Sequence, residues 1–204
     1  MTRFEGTDAV TDDGQAPGLP ELVELLEERD AELNAHGARV AGHAEQIARE
    51  MGLPSPVIGR VRIAARLHDL GKVWIARDIL DKPGPLSDKE WSEIRRHPSL
   101  AARLLKTADL HDLAAIVVAH HERPDAGGYP EGISSEEAPL EAQIVAVADV
   151  YDAMLSQRPY APARTLAEAR AELERVAATQ LDANVVKAFL RVLDGPRGSS
   201  SAVL

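Results

Sequence analysis

The sequence contains no cysteine. Disulfide bonds, thiolate zinc sites and thiol nucleophiles are therefore excluded, and any bound metal must use nitrogen and oxygen ligands. Residues 1–15 show no basic-then-apolar signal pattern, and no run of about 18 apolar residues occurs in the chain. We therefore expect a cytoplasmic protein that does not span a membrane.

Aromatic residues are also scarce, at 3% of the chain, whereas apolar residues reach 45%. The core must then be filled largely by Ala, Val, Leu and Ile, which suits closely packed helices and predicts an all-α fold. The formal net charge of −10 argues against DNA or RNA as a partner. A chain of 204 residues suffices for one domain, which we place at residues 20–194, with disordered tails at 1–19 and 195–204.

Apolar spacing predicts eight helices, interrupted by two loops, Lys72–Leu86 and Glu122–Glu137, that contain proline and glycine. Ser87 and Glu90 form a capping box that begins a helix after the first loop. Leu140–Leu155 is nearly free of charge and predicts a buried central helix. The helices are expected at roughly 20–33, 36–51, 55–70, 87–105, 110–120, 139–157, 165–179 and 182–194.

Five of the seven histidines lie at predicted helix ends or on inward-facing positions. Glu32 and His36 are four residues apart on one helical stripe, so both are expected to point toward the core. The pair His68-Asp69 closes an apolar run and is followed by Gly71, which can terminate the helix. The three remaining positions are His97, which precedes a proline, and the pair His120-His121, which ends another apolar run.

Asp149 lies inside the buried helix, where an unpaired charge is costly and a cation or a hydrogen-bond donor is favoured. Taken singly, an inward histidine is more often a satisfied core residue than a ligand. It is the joint occurrence of imidazoles and carboxylates that indicates a metal site. This ligand set suits iron or manganese first, and zinc next.

The same residues stand in an order that resembles the HD-GYP family, over roughly residues 32–193. Several separated motifs carry the resemblance. They are His36, His68-Asp69-Leu70-Gly71-Lys72, Arg96-His97-Pro98, His120-His121-Glu122-Arg123-Pro124-Asp125, Gly128-Tyr129-Pro130, Ala148-Asp149 and Arg158-Pro159-Tyr160.

The resemblance implies an HD-type helical bundle with a metal site at its centre. It implies a phosphodiesterase that hydrolyses cyclic di-GMP, a bacterial second messenger, to pGpG or GMP. Two or three divalent ions are expected, with Asp69 bridging two of them and Glu32 recruiting a third. By motif position the ligands are Glu32, His36, His68, Asp69, His97, His120, His121 and Asp149.

The resemblance also implies a mechanism and a set of substrate contacts. A hydroxide that bridges two ions would attack the phosphorus, and the ions would make the pocket locally positive despite the acidic chain. Asp69 and Lys72 are the expected catalytic residues, and Lys72 would also contact the phosphate. The remaining substrate contacts are expected from Asp125, Gly128, Tyr129, Pro130 and Arg158, and Glu122 is a candidate to orient one of the paired histidines.

Two departures from the family pattern keep alternatives open. Ala126 stands where a glycine is usual, and Ala161 stands where many members have a basic residue. They favour an inactive signalling or binding module that acts through protein partners in trans. A phosphohydrolase for ordinary nucleotides would share His68-Asp69 but would leave the Gly128–Pro130 loop and Arg158 unexplained.

The predicted first helix, Leu19–Leu33, is expected to pack on the domain and can also pair with a second copy of the chain. Its apolar positions are Leu22, Val23, Leu25, Leu26 and Leu33.

Overall fold

Helices make up nearly all of the regular structure in the described residues, as the alanine- and leucine-rich composition predicts. The computed structural model describes residues 3–5, 8–10, 17–134, 136–156 and 163–195. The all-α class is confirmed. The helices are α1 Leu19–Arg29, α2 Ala31–Glu50, α3 Ser55–Leu67, α4 Arg77–Leu80, α5 Asp88–Ile94, α6 His97–Thr107, α7 His111–Val118, α8 Leu140–Leu155, α9 Leu166–Val176 and α10 Ala183–Leu193.

Before the first helix lies one short antiparallel pair of strands, β1 Arg3–Glu5 and β2 Asp8–Val10, where the sequence predicts no regular structure. The tail expected after residue 194 lies outside the described residues, apart from Gly195. None of the helices in the described part of the chain combines the length and the apolar character that a membrane span requires.

The core lies where α2, α3 and α8 pack on one another, with α10 against α2 and α7 against α3. Helix α8 is buried along most of its length, from Ala142 to Asp152, which confirms the predicted central helix. A helix that is apolar on nearly all sides has to be surrounded by others. Any polar side chain on α8 is therefore placed inside the bundle.

The predicted helix at 87–105 is divided into α5 and α6, so that prediction was wrong. Pro98 explains the break, because proline lacks an amide hydrogen and is accepted only in the first turn of a helix. The predicted capping box of Ser87 and Glu90 is present at the start of α5. The break places His97 at the first position of α6, buried and facing the core.

Helix α3 ends at Leu67, with His68 as its C-cap, and a short 3₁₀ helix spans Leu70–Trp74. Gly71 was expected to end the helix, but it lies inside the 3₁₀ helix. It is needed for close packing, because a Cβ atom there would overlap the carbonyl oxygen of His97. The connection after His68-Asp69 is therefore pressed against the start of α6.

The break between the first two helices falls at Asp30 rather than near residue 35. The Asp30 carboxylate accepts from the amides of Glu32 (3.1 Å) and Leu33 (2.9 Å) and caps α2. The packing role of α1 is confirmed, since its leucines at 22, 25 and 26 are buried in the chain's own core. Pairing with a second copy stays a prediction.

Candidate metal centre

Two groups of ligand side chains meet in the centre of the bundle. Within each group the ligand atoms lie within 4.8 Å of one another. Asp69 connects the groups, because its Oδ1 lies 3.2 Å from Nε2 of His97 while its Oδ2 lies 3.3 Å from Nε2 of His68. The first group is His36, His68 and Asp69, and the second is His97, His120 and His121.

Asp149 joins this cluster from the buried helix α8. Its Oδ1 lies 3.1 Å from Nε2 of His36 and 3.7 Å from Nε2 of His68. Because the structure brings Asp149 together with the two groups, seven of the eight predicted ligands share one place. They come from α2, the segment directly after α3, the start of α6, the turn directly after α7, and α8.

Three of the histidine rings are oriented by the same local contact. In each, Nδ1 donates to the backbone carbonyl oxygen three residues earlier, so Nε2 faces the cluster. Local helical geometry at the end of each element thus aims the ligand atom. The pairs are His68 with Ala65 (2.7 Å), His97 with Ile94 (2.7 Å) and His120 with Val117 (2.6 Å).

His36 is oriented by a carboxylate instead. Its Nδ1 lies 2.7 Å from Oδ2 of the buried Asp152, which also accepts two hydrogen bonds from Arg39 (Nε to Oδ1 2.7 Å, Nη2 to Oδ2 3.0 Å). Sequence reasoning missed this role for Asp152. The available signal was its position three residues after Asp149, which places both carboxylates on one face of α8.

Asp69 is buried, yet its carboxyl stays ionised. Burial alone would raise its pKa, but the charges of Lys72, whose Nζ lies 2.6 Å from Oδ2, and of His68 hold the pKa well below the usual range. Two buried polar atoms, Asp69 Oδ1 and His68 Nε2, have no hydrogen-bond partner. Unsatisfied buried polar atoms are costly, and a cation that displaces the proton of His68 would satisfy both atoms. The residues therefore fit a metal ion.

The protonation of the histidines divides them into two sets. Burial lowers the pKa of His97 to about 3 and that of His121 to about 4, and it holds the pKa of His120 well below its usual value. These three rings are neutral near pH 7, as metal ligation requires.

His36 and His68 behave differently. Burial would lower the pKa of each, but neighbouring carboxylates raise the pKa of His36, and raise that of His68 to about 10. A metal that binds to the first group must therefore displace protons.

The loop at residues 122–137 is held by the buried carboxylate of Glu122. It accepts hydrogen bonds from the amides of Glu131 (2.7 Å), Gly132 (3.2 Å) and Ile133 (3.1 Å). The expectation that Glu122 orients a histidine is therefore wrong. Its role is to fix the far end of the loop next to His120 and His121, which precede it in the chain.

The predicted substrate residues of this loop differ in their placement. Gly128 packs so closely on the backbone of residues 121–123 that a Cβ atom would lie 2.5 Å from the carbonyl oxygen of His121. The ring of Tyr129 then lies 4.7 Å from the ring of His121. Asp125 and Pro130 are exposed, and Asp125 pairs with Arg123 (Nε to Oδ1 3.0 Å).

Ala126 adopts a φ of 55°, in the left-handed region that favours glycine. The turn therefore carries strain on the order of 1 kcal/mol. Gly127 does not relieve this strain, because its own φ is not positive.

Two cavities reach the cluster. One of about 330 Å³ is lined by His121, Asp149 and Tyr129, together with the cations Arg95 and Arg164. The other, of about 270 Å³, is lined by His36, Asp69, Lys72, Arg39 and Glu32.

Glu32 is exposed in the first turn of α2 and belongs to neither ligand group. The prediction that it points toward the core with His36 is therefore wrong.

Residues 20–185 match the family model of the HD domain. The chain belongs to the HD domain family. This HD domain is 39% identical over 176 residues to a cyclic di-GMP phosphodiesterase of Thermotoga maritima, covering 84% of this chain and 48% of that protein. It is 35% identical over 160 residues to the 3′3′-cGAMP-specific phosphodiesterase 3 of Vibrio cholerae, covering 78% and 35%. The chain thus spans less than half the length of these relatives.

A solved structure shares the fold of this HD domain. It is that of Bd1817, described as an HDG"Y"P protein from Bdellovibrio bacteriovorus, with a TM-score of 0.67 at 20% identity over 81% of this chain and 54% of that chain. The predicted HD-type fold and family are thereby confirmed.

Arg158, the remaining predicted substrate residue, lies outside the described residues. His43 and His111 belong to neither ligand group of the HD domain.

Proposed function

We propose that this HD domain is a metal-dependent phosphodiesterase that hydrolyses cyclic di-GMP to pGpG, to GMP or to both. One observation carries the proposal. Asp69 lies between two groups of buried or half-buried imidazoles and leaves one oxygen without a hydrogen-bond donor, in a cavity that is also lined by Lys72 and Arg39. The name of the Thermotoga maritima relative supports the substrate class.

Two or three divalent ions belong to this proposal, with iron or manganese preferred and zinc next, because the ligands are neutral imidazoles and carboxylates. His36, His68, Asp69 and Asp149 would hold one ion, and the second histidine group with Asp69 would hold another. Glu32 lines the cavity next to His36 and is the candidate for recruiting a third. When bound, such ions would activate a water molecule and neutralise charge that develops on the phosphate.

The chain's own residues would position the phosphodiester. Lys72 reaches Asp69 from the rim of the second cavity and can turn its remaining donors to a phosphate oxygen. Burial, together with the charges of Asp69 and Asp149, raises the pKa of Tyr129, so its phenol keeps its proton and acts as a donor. Arg158 is retained as a proposed contact to the dinucleotide.

The local charge of the site agrees with an anionic substrate despite the net charge of −10. The first cavity is lined by three guanidinium groups, those of Arg95, Arg123 and Arg164. A charge pair at about 4 Å is worth about 4 kcal/mol at an effective dielectric of 20, whereas distant surface charges are screened by salt. Glu122, Asp149 and Glu172 line the same cavity and offset these guanidinium charges, so the positive charge that favours an anionic substrate would come from the bound ions together with the arginines. A cytoplasmic location, consistent with the absence of cysteine, remains part of the proposal.

A second candidate function is a signalling module that binds metal or nucleotide without turnover and acts through protein partners. The strained backbone at Ala126 favours it, because the strain falls in the loop that carries Tyr129.

Two measurements on a single preparation of the protein distinguish the phosphodiesterase from the signalling module. Plasma mass spectrometry measures bound metal, and chromatography follows cyclic di-GMP incubated with iron(II) or manganese(II). We expect bound metal and turnover, and we expect Asp69→Ala to abolish turnover because it removes the carboxylate shared by both groups. Asp112→Ala, at an exposed carboxylate at the start of α7, is the matched control and should be active.

Turnover retained by Asp69→Ala would refute the mechanism. Metal bound by the wild-type chain without any turnover would select the signalling module.

A further inference from the structure

Part of the lining of the first cavity comes from residues that belong to neither ligand group. Besides His121 and Asp149, it is lined by Arg164, by Glu172 of α9 and by Gln180 in the turn before α10. Its volume of about 330 Å³ is at the lower end of the range for small-molecule sites, which suits one nucleotide half of a cyclic dinucleotide.

Glu172 is an unexpected residue in this wall. The two other carboxylates that line the cavity are engaged elsewhere, Glu122 by the loop amides and Asp149 by His36. Glu172 is held from outside by Arg175, with Nε to Oε2 at 2.9 Å and Nη2 to Oε1 at 2.8 Å. A carboxylate in a cavity that admits a phosphodiester repels the substrate unless it meets hydrogen-bond donors.

Arg164 lies beside this carboxylate and is fixed to the end of α8. Its amide donates to the carbonyl oxygen of Met154 (2.8 Å), and its Nη1 lies 3.7 Å from Oε2 of Glu172. A capping box of Thr165 and Glu168 begins α9 directly after Arg164, which sets the direction of the helix that carries Glu172. The wall therefore presents guanidinium donors next to carboxylate acceptors.

A guanine base is complementary to this pair of groups. Its N1–H and N2–H₂ donors point in one direction and match the two oxygens of a carboxylate, while O6 and N7 accept from an arginine. Adenine presents a bare N1 lone pair at the same edge, which a carboxylate would repel. Each oxygen of Glu172 has a lone pair beyond the one that accepts from Arg175.

We propose that Glu172, assisted by Arg164, reads a guanine of the substrate and makes this domain select guanine over adenine in that half of the dinucleotide. This inference rests on the proposed phosphodiesterase function, and it assigns the choice of base to a wall away from the metal ligands. A site built to accept from a substrate N–H discriminates strongly against an analogue that lacks it, because its own polar group is left unpaired.

The test compares the metal-loaded full chain on cyclic di-GMP, cyclic di-AMP and bis(p-nitrophenyl) phosphate, which has no base. We expect the wild type to favour cyclic di-GMP over cyclic di-AMP by at least about 100-fold in kcat/KM. Glu172→Gln should reduce that ratio by about 10- to 100-fold and leave hydrolysis of bis(p-nitrophenyl) phosphate unchanged. Glu174→Gln is the matched control on the same helix, where an exposed carboxylate pairs with Arg170.

The outcomes separate this inference from the proposed function. A wild type that hydrolyses both dinucleotides equally, or a Glu172→Gln ratio equal to that of the wild type, overturns the inference and leaves the phosphodiesterase intact. If Glu172→Gln also loses hydrolysis of bis(p-nitrophenyl) phosphate, the Arg164→Gln variant is measured instead. We expect it to lower the ratio of kcat/KM for cyclic di-GMP to that for cyclic di-AMP by the same factor. An unchanged ratio in Arg164→Gln overturns the inference. A wild type that hydrolyses nothing refutes the proposed function, and calorimetric binding of the two dinucleotides then tests the base preference alone.

Discussion

The carboxylate of Asp152 lies 2.7 Å from Nδ1 of His36, and Arg39 holds that carboxylate with two further hydrogen bonds. A carboxylate on the outer nitrogen of a histidine fixes the ring and increases the basicity of the ligand nitrogen. His36 lies at the rim of the site, where its ring has no local carbonyl partner of the kind that orients His68, His97 and His120. The contact with Asp152 supplies this orientation.

Replacing Asp152 with asparagine should therefore weaken metal binding without removing any ligand. We expect the affinity for manganese(II) to fall by about 10- to 100-fold in Asp152→Asn, measured by calorimetric titration of metal-stripped protein. Asp112→Asn, at an exposed carboxylate, is the control and should bind as the wild type does. An Asp152→Asn affinity equal to that of the wild type would show that His36 needs no such partner.

Metal affinity should increase with pH. Burial alone would lower the pKa of His68, but Asp69 and Asp149 raise it to about 10 from an ordinary value of 6.5, so the ring is protonated near pH 7 in the metal-free chain. Each proton that the metal displaces makes binding about tenfold tighter per pH unit, up to the raised pKa. Titrations with manganese(II) between pH 6.5 and pH 8.5 measure this slope, and a flat profile would contradict the protonated His68.

The metal-free chain should lose stability over the same range. Because the folded pKa of His68 exceeds the unfolded value, the stabilisation from its proton is complete below pH 6.5 and is lost as pH rises toward about 10. Urea unfolding of metal-stripped protein at several pH values tests the sign of this dependence.

Gly71 should be intolerant of a side chain. Gly71→Ala forces a methyl group onto the carbonyl oxygen of His97, so we expect a loss of about 1 to 3 kcal/mol in the free energy of unfolding and weaker metal binding. Gly42 in α2 is the control, because a Cβ atom there meets nothing within 4 Å. Gly42→Ala should gain about 0.5 to 1 kcal/mol, and equal losses in both variants would contradict the close approach.

Ala126 should be improved by glycine. Relief of the positive φ, offset by the freedom that glycine adds to the unfolded chain, is expected to stabilise Ala126→Gly by about 0.5 kcal/mol in urea unfolding. Ala178, with a φ of 64°, should respond in the same way, whereas the adjacent Ala177, with a φ of −57°, should be destabilised by glycine. A destabilised Ala126→Gly would show that the methyl group makes a contact that outweighs the strain.

Part of the metal centre could be predicted because its determinants are local. His68-Asp69 and His120-His121 follow apolar runs, and a histidine at a helix end can bond its own helix carbonyl whatever the rest of the fold does. The ligand types, and hence the nitrogen and oxygen chemistry, were readable for the same reason. Pro98 also indicates that the predicted helix at 87–105 is divided in two. The apolar spacing continues on both sides of the proline, however, and it favoured a single helix.

Other features depend on contacts between distant segments. His36 and Asp152 are separated by 116 residues, and no pattern near either one states that they meet. Glu122 was assigned to the histidines beside it, yet it bonds to amides nine to eleven residues further on. Glu32 shares a cavity with His36, but it lies in the first turn of α2, directly after the break at Asp30, and is exposed there.

By itself, the sequence determined the all-α class, the buried helix with its carboxylates and the chemistry of the ligands, because residue type and helical periodicity act over a few positions. Only the tertiary structure decided that Asp152 is the carboxylate that orients His36. It also decided that Ala126 adopts a positive φ, and that Glu172 lines the same cavity as His121 and Asp149. These depend on how α2, α8 and α9 pack, and packing is settled by the fit of whole helix faces rather than by any local run of residues.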